Sequence, residues 1–233
     1  MEQITEWAES VLNNQGHIIT GKLKKFTHTG SAVWEYTTND GNFFLKYMTK
    51  SFSHELTVLE FLNSKNFQNL PKIIAKNNEA TAFLTEDAGI PILKTLNIGQ
   101  RFSTSELSKI YSILEFYSNL QIKCILHTNE LLSFNVIDLR LQNLIDLYHT
   151  YFINNDDFLL SIGGNVLEIK DLKRLQDTFT YLCMSLQCYN TPQTLDHGDF
   201  HLLNLLQNGY KFTIIDFGDS AITHPFFFNN FLS

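Results

Sequence analysis

The chain has 233 residues, 44% of them hydrophobic and 18% charged, a balance that supports a packed core and excludes a disordered chain. Its formal charge of −7 excludes the basic face that phosphate-backbone binding needs, so no nucleic-acid partner is expected, while a cationic small substrate is permitted. That length fits one large domain or two intimate lobes. Cys124, Cys183 and Cys188 are an odd set without metal-ligand spacing, which argues for a reducing compartment rather than a disulfide framework. MEQITEWAESVLNN lacks the basic start and apolar run of a secretory signal, and no stretch is apolar for long enough to span a bilayer. The expectation is a cytoplasmic protein without a membrane partner.

In chain order, Ile4, Trp7, Ala8, Val11 and Leu12 share one helical stripe, so residues 3 to 13 are expected to form an amphipathic helix. HIITGKLKKF, AVWEYTT and NFFLKYM then read as a three-stranded antiparallel meander, with Asn39-Asp40-Gly41 as the turn between the second and third strands. A helix starts at Ser51 or Ser53, whose hydroxyl is the expected cap, carries Leu56, Leu59 and Leu62 inward, and exits over Asn63 to Asn69. Strands follow near residues 72–76 and 80–86. Past Gly89 and Pro91 long apolar periodicities predict helices over about 105–126, 136–153 and 169–188. Thr194 to Asp196 and the β-branched run Lys211 to Ile215 read as two short strands with a loop between them. Tyr148, Tyr151 and Phe152 are expected to serve inter-helix packing.

The densest chemical signal is LDHGDFHLLNLL followed by KFTIIDFGDS. Phosphoryl transfer needs one carboxylate to orient or accept the proton of an attacking hydroxyl, and an amide with a second carboxylate to hold Mg²⁺ against nucleotide phosphates. Asp199, Asn204 and Asp216 match those roles in order. His197, Asp199 and His201 also admit a zinc reading, for which a completing His or Cys cluster is missing. Taken singly, each residue has a plainer reading: a solvated strand lysine for Lys46, a helix-face acid for Glu55, a turn for Gly30, a loop-stabilising acid for Asp199.

HGDFHLLN resembles the catalytic loop of aminoglycoside phosphotransferases and choline kinase-like small-molecule kinases, and IDFGDS resembles their metal-binding segment. Gly198 stands where the HRD loop of protein kinases has Arg, and no APE-like segment follows, so the small-molecule kinases are the nearer likeness. The resemblance covers residues 17 to 225. It implies an α+β, two-lobed, protein-kinase-like fold, with a small antiparallel-sheet lobe over residues 1–87 for nucleotide and a mainly helical lobe over 88–233 for catalysis and substrate. It implies ATP and Mg²⁺ as cofactors and a small hydroxylated acceptor. Lys46 would pair with the phosphates and Glu55 would align it; Gly30 and Ser31, in THTGSAVW, would offer backbone amides to phosphate; Glu86 to Ala88, in FLTEDAG, would form the hinge that takes adenine. His197 would hold the catalytic loop from beneath, His201 would lie near the metal, and Asp219 is either an auxiliary acid or a solvated turn residue. Related kinases continue beyond the metal-binding segment into helices that wall the acceptor pocket, whereas here ITHPFFFNNFLS closes the sequence. The resemblance therefore leaves two expectations: weak turnover with self-association through Phe226, Phe227, Phe228, Phe231 and Leu232, or a catalytically silent nucleotide-binding pseudokinase.

Overall fold

The computed structural model describes residues 2–27, 30–96, 101–150 and 169–227. Their contacts define two compact units. The first holds residues up to Leu120 together with His197–Ser220, and the second holds Gln121–Asp196 with Ala221–Phe227.

In the first unit, helix α1 (Glu2–Asn14) buries Thr5, Ala8 and Leu12, one residue per turn along a single stripe. Strands β1 (Ile19–Thr27), β2 (Ser31–Thr38), β3 (Gly41–Met48), β4 (Ile73–Asn77) and β5 (Ala82–Glu86) form one antiparallel sheet in the order β1-β2-β3-β5-β4. The expected turn closes β2 on β3, with Thr38 opposite Gly41 and Gly41 at φ +147°. Alternate residues of the strands face opposite ways. Ala32, Trp34, Tyr36, Phe43, Leu45, Ala82 and Leu84 turn to one face, where Ala8 and Leu12 of α1 complete a core cluster.

A 3-10 turn, Lys50–Phe52, leads into α2 (His54–Ser64). The expected hydroxyl cap is not made: the Ser53 backbone is helical, and its Oγ donates back to the Lys50 carbonyl at 2.8 Å. Helix α3 (Thr104–Cys124) starts with a reciprocal cap, in which Ser103 N–H donates to Glu106 Oε2 at 2.7 Å and Glu106 N–H donates to Ser103 Oγ at 3.3 Å. Its inward stripe runs through Ile110, Ile113, Tyr117, Leu120 and Cys124.

The small strands correct the sequence reading. Lys211–Ile214 does not pair with Thr194–Asp196. It is β10, the partner of β9 (Leu205–Asn208), and β6 (Ile90–Pro91) completes that sheet in the first unit. Thr194–Asp196, β8, lies instead in the second unit, beside β11 (Ala221–Thr223) and β7 (Ile137–Asp138).

The helix expected over 136–153 is also divided. Helix α4 (Thr128–Ser133) stops short of this stretch, Asn135 beyond it takes a left-handed φ of +62°, β7 follows, and α5 spans Leu141–Tyr148. The Asp138 carboxylate accepts from the Arg140 backbone N–H and Nε at 3.2 and 2.9 Å, which keeps this stretch out of a helix. Residues 151–153 of the expected helix lie outside the described residues. The next described helix, α6 (Ile169–Gln187), packs Cys183 and Phe179 onto Leu141 and Leu144 of α5, and Tyr148 stacks on Phe179 at 5.2 Å, the packing role expected of it. Among the described residues no helix is long and apolar enough to cross a membrane.

Candidate active site

The sheet face opposite α1 opens onto a cavity of about 670 Å³, a size usual for small-ligand sites. Strand alternation explains its lining. Ser31, Val33 and Glu35 come from β2, Asn42, Phe44 and Lys46 from β3, Phe83 and Thr85 from β5, and Glu55 projects from α2. Residues 86–91 form a rim, and Leu206, Ile215 and Asp216 contribute from the β9–β10 region. The rim backbone has little freedom: Gly89 sits at φ +104°, and a Cβ there would lie 2.5 Å from the carbonyl carbon of Gln207.

Lys46 is the centre of charge. Its Nζ lies 2.8 Å from Glu55 Oε1, 2.7 Å from Glu55 Oε2 and 2.6 Å from Asp216 Oδ1. Burial pulls the Lys46 pKa down, but the Glu55 and Asp216 carboxylates outweigh it and hold the ammonium above its ordinary value. The same ammonium, working against burial, keeps Asp216 below the usual carboxylate range. Glu55, with 1% of its side chain exposed, goes the other way: burial pushes it up to about 7 despite Lys46. Asp216 itself sits at φ +67°, a left-handed conformation that a non-glycine residue adopts at a cost, as at many functional turns.

The loop from His197 to Asn204 is fixed from below. His197 is 1% exposed; its Nε2 lies 2.9 Å from the Ile215 carbonyl, and its Nδ1 accepts from Asp199 N–H at 3.3 Å. Since a carbonyl only accepts, Nε2 carries the proton and Nδ1 does not, which makes the ring neutral. Burial pulls its pKa down to about 4, in agreement. The His197 backbone N–H donates to Tyr117 Oη at 2.9 Å, and Tyr117 stacks on Phe200 at 3.9 Å. Gly198 takes φ +79°, and a Cβ there would stand 2.6 Å from the carbonyl carbon of Asp219, so the loop and the segment after Asp216 touch backbone to backbone.

Asp199 is 42% exposed at its side chain and is oriented by two neighbours: Asn204 Nδ2 donates to Asp199 Oδ2 at 2.9 Å, and His201 Nε2 lies 3.2 Å from the same oxygen. Asn204 Nδ2 also donates to the Asp199 carbonyl at 3.0 Å, which leaves Oδ1 as a free oxygen donor. Asn204 stands beside the Asp216 segment because Ile215 N–H donates to its carbonyl at 2.9 Å. Burial, reinforced by Asp216 and Asp199, raises the pKa of Asp219.

This donor set fits Mg²⁺. The ion takes oxygen ligands, commonly one or two from protein with the rest from phosphate and water, and Asn204 Oδ1 with the Asp216 carboxylate supplies that number. Zinc fits poorly, since among the described residues no three His, Cys, Asp or Glu side chains converge as a metal cluster and both ring nitrogens of His197 are in use.

Of the residues singled out from sequence, Lys46, Glu55, Ser31, Glu86, Ala88 and Asp216 line the one cavity. Asp199 and Asn204 are tied to Asp216 through the backbone. Gly30 is off the wall: it is buried, its carbonyl accepts from Thr49 N–H at 2.8 Å, and it lies against the Phe52 ring. The apolar lining of Val33, Phe44, Phe83, Leu206 and Ile215 was not singled out, although period-two counting from Lys46 along β3 gives Phe44 directly.

No protein-family profile matches the sequence, and no curated protein matches it. Solved structures do match. Choline kinase LicA from Streptococcus pneumoniae superposes with a TM-score of 0.62 at 14% identity, over 97% of this chain and 72% of that one. A protein of Ralstonia eutropha JMP134 described as an aminoglycoside phosphotransferase gives 0.60 at 16% identity, over 95% and 66%. An ethanolamine kinase of Plasmodium vivax gives 0.59 at 16% identity, over 88% and 57%. The chain thus spans between 57% and 72% of the length of these structures. At such identities the shared property is the path of the backbone, and chemistry has to be argued from the site. The chain has the α+β, protein-kinase-like fold found in choline and ethanolamine kinases and in aminoglycoside phosphotransferase-like proteins.

Proposed function

We propose that the chain is an ATP- and Mg²⁺-dependent phosphotransferase that moves the γ-phosphoryl group to a hydroxyl of a small molecule such as an aminoglycoside, an amino alcohol or a sugar. The observation that carries this reading is the Lys46–Glu55–Asp216 ion triad on a cavity wall, with Asn204 and Asp199 hydrogen-bonded to each other beside it. Bound Mg·ATP would supply the transferable phosphoryl group and the charge that neutralises it. Asn204 Oδ1 and Asp216 would hold the metal, Lys46 would contact the phosphates, and Glu55 would keep Lys46 in place. The rim around Glu86 and Ala88, with Val33, Phe44 and Phe83, would receive the base. Ser31 is assigned to the phosphates, while Gly30 stands behind it, off the cavity wall.

Asp199 aligns the acceptor hydroxyl and takes its proton, held for that task by Asn204 and His201. Catalysis on this scheme is mostly positioning and charge stabilisation. The acidic balance of the chain favours a cationic acceptor. The functional division at residue 87 belongs to this proposal: it separates what binds nucleotide from what binds acceptor, whereas the compact units follow contacts. A cytoplasmic setting, with ATP at hand and free thiols, is part of the same reading. So is self-association, for which Phe226 and Phe227 are exposed while Phe228, Phe231 and Leu232 lie outside the described residues; light scattering tests it.

Incubation with γ-labelled ATP, Mg²⁺ and a panel of aminoglycosides, amino alcohols and sugars should label one acceptor class. Asp199→Asn should then lower turnover by about 100-fold or more, the usual worth of a positioned base, with nucleotide affinity nearly unchanged. Nucleotide binding without transfer to any acceptor would favour the silent pseudokinase, and an absence of Mg-nucleotide binding would overturn both.

A further inference from the structure

Two glycines near the triad have no conformational reason to be glycine. Gly30 and Gly218 are both absent from the left-handed region that five other glycines occupy, so a side chain at either would meet no backbone strain. What a side chain at either would meet first is one ring. A Cβ at Gly30 would stand 2.6 Å from Phe52 Cδ2 and 3.0 Å from Cζ, and a Cβ at Gly218 would stand 3.1 Å from Phe52 Cδ1. Cδ1 and Cδ2 are opposite edges of the ring. Phe52 therefore wedges between the start of β2 and the segment just past Asp216.

The wedge has a fixed base. Phe52 closes the 3-10 turn that opens into α2, three residues before Glu55, and Phe52 N–H donates to the Thr49 carbonyl at 3.0 Å. Thr49 N–H in turn donates to the Gly30 carbonyl at 2.8 Å. The Gly218 position also lies close to both acids of the triad, since its Cβ would be 3.4 Å from Asp216 Oδ1 and 3.5 Å from Glu55 Oε2. A shift of the ring toward Gly218 presses on the atoms that set the Lys46 contacts. A shift toward Gly30 presses on the residue just before Ser31, which lines the cavity. The ring does not compress, so a side chain added at Gly30 pushes it toward the Gly218 side.

We propose that Phe52 is a positioning residue that couples the start of β2, at Gly30, to the Asp216 segment, so that a displacement at one reaches the other. This rests on the phosphotransferase reading for its consequence, but the coupling itself does not. It also gives Gly30 a different reason for its identity from the one its sequence context suggested: room for a ring rather than an amide for phosphate.

The test is a double-mutant cycle with two readouts. In the first, Mg·ATP affinity is measured by calorimetry on wild type, Gly30→Ala, Phe52→Ala and the double variant. Gly30→Ala alone should weaken binding about tenfold, Phe52→Ala about threefold, and the double variant should match Phe52→Ala, because the added methyl then occupies the space the ring vacates. In the second, without nucleotide, the amide resonances of Asp216 and Gly218 should shift in Gly30→Ala and stay put when the same change is made in the Phe52→Ala background. Phe52→Leu, which keeps bulk, should recover part of both effects. Additive losses of affinity, or resonance shifts that persist without the ring, would overturn the coupling. Should wild type bind no nucleotide, the functional reading fails, and the resonance experiment alone still decides whether the wedge exists.

Discussion

Glu55 and His197 are both enclosed, and burial moves their pKa values in opposite directions. Glu55 rises from 4.5 to about 7, so between those values the native protein holds a proton that the unfolded chain has released. Its contribution to stability is complete below about pH 4.5 and is lost as pH rises through 7. His197 falls from 6.5 to about 4, so in that window the unfolded chain holds the proton instead. Its contribution is complete above about pH 6.5 and is lost as pH falls through 4. The two slopes oppose each other across the shared window. Glu55→Gln removes one of them, and the variant should lose about 3 kcal/mol more than wild type between pH 7 and 4, by the equivalence of one pKa unit to about 1.4 kcal/mol. Urea midpoints across that range check it, and parallel profiles for the two proteins would count against a Glu55 carboxyl raised by burial.

Lys46 belongs to the same balance. Lys46→Met leaves the Glu55 and Asp216 carboxylates without their shared cation, so it should destabilise the fold by about 3 kcal/mol at pH 8, the usual cost of orphaning a buried charge. The loss should be smaller at pH 5, where Glu55 takes up a proton, and a solvated surface lysine would show neither effect. The residues gathered around the cavity and its neighbouring loop were readable in the sequence because Lys46, Glu55, Asp199, Asn204 and Asp216, each a common type, stand in a specific order. Phe52 was not. Its importance comes from Gly30 and Gly218, which sequence separation hides and only the folded chain brings to opposite edges of one ring.

Among elements, the meander was readable because period-two alternation and the Asn39-Asp40-Gly41 turn agree. Two-residue strands such as β6 and β7 carry no periodicity at all; they exist because β9 and β11 offer them hydrogen-bonding edges. The helix expected across residues 136–140 failed for a local reason, the Asp138 carboxylate competing for the Arg140 backbone. Glycines separate in the same way by what surrounds them. Gly209 at φ +61° has nothing within 4 Å of its missing Cβ, while Gly198 at φ +79° faces the Asp219 backbone. Gly209→Ala should therefore cost about 1 kcal/mol of conformational strain. Gly198→Ala should cost more than about 2 kcal/mol and reduce turnover together with Mg²⁺ affinity, since the loop must part from the metal segment. Thermal melts and kinetics of the pair check this, and equal costs would mean that the backbone contact is slack.

For the whole molecule, the first compact unit is discontinuous in sequence, its last described piece, His197–Ser220, following the bulk of the second. The ion pair between Lys46 and Asp216 therefore closes across 170 positions. During synthesis the five-stranded sheet leaves the ribosome with Lys46 and Glu55 already made and their third partner still untranslated. Contacts of such long range form late, because chain entropy has to be overcome before they reward it. A nascent chain halted near residue 190 should carry a protease-resistant sheet yet bind no Mg-nucleotide, and release of the next thirty or so residues should confer binding in one step. Stalled-chain proteolysis with a fluorescent nucleotide reads both events. On the proposed function the order would have a use of its own, since a half-made chain would not sequester ATP, and the site is assembled only when the segment that would carry out the chemistry arrives.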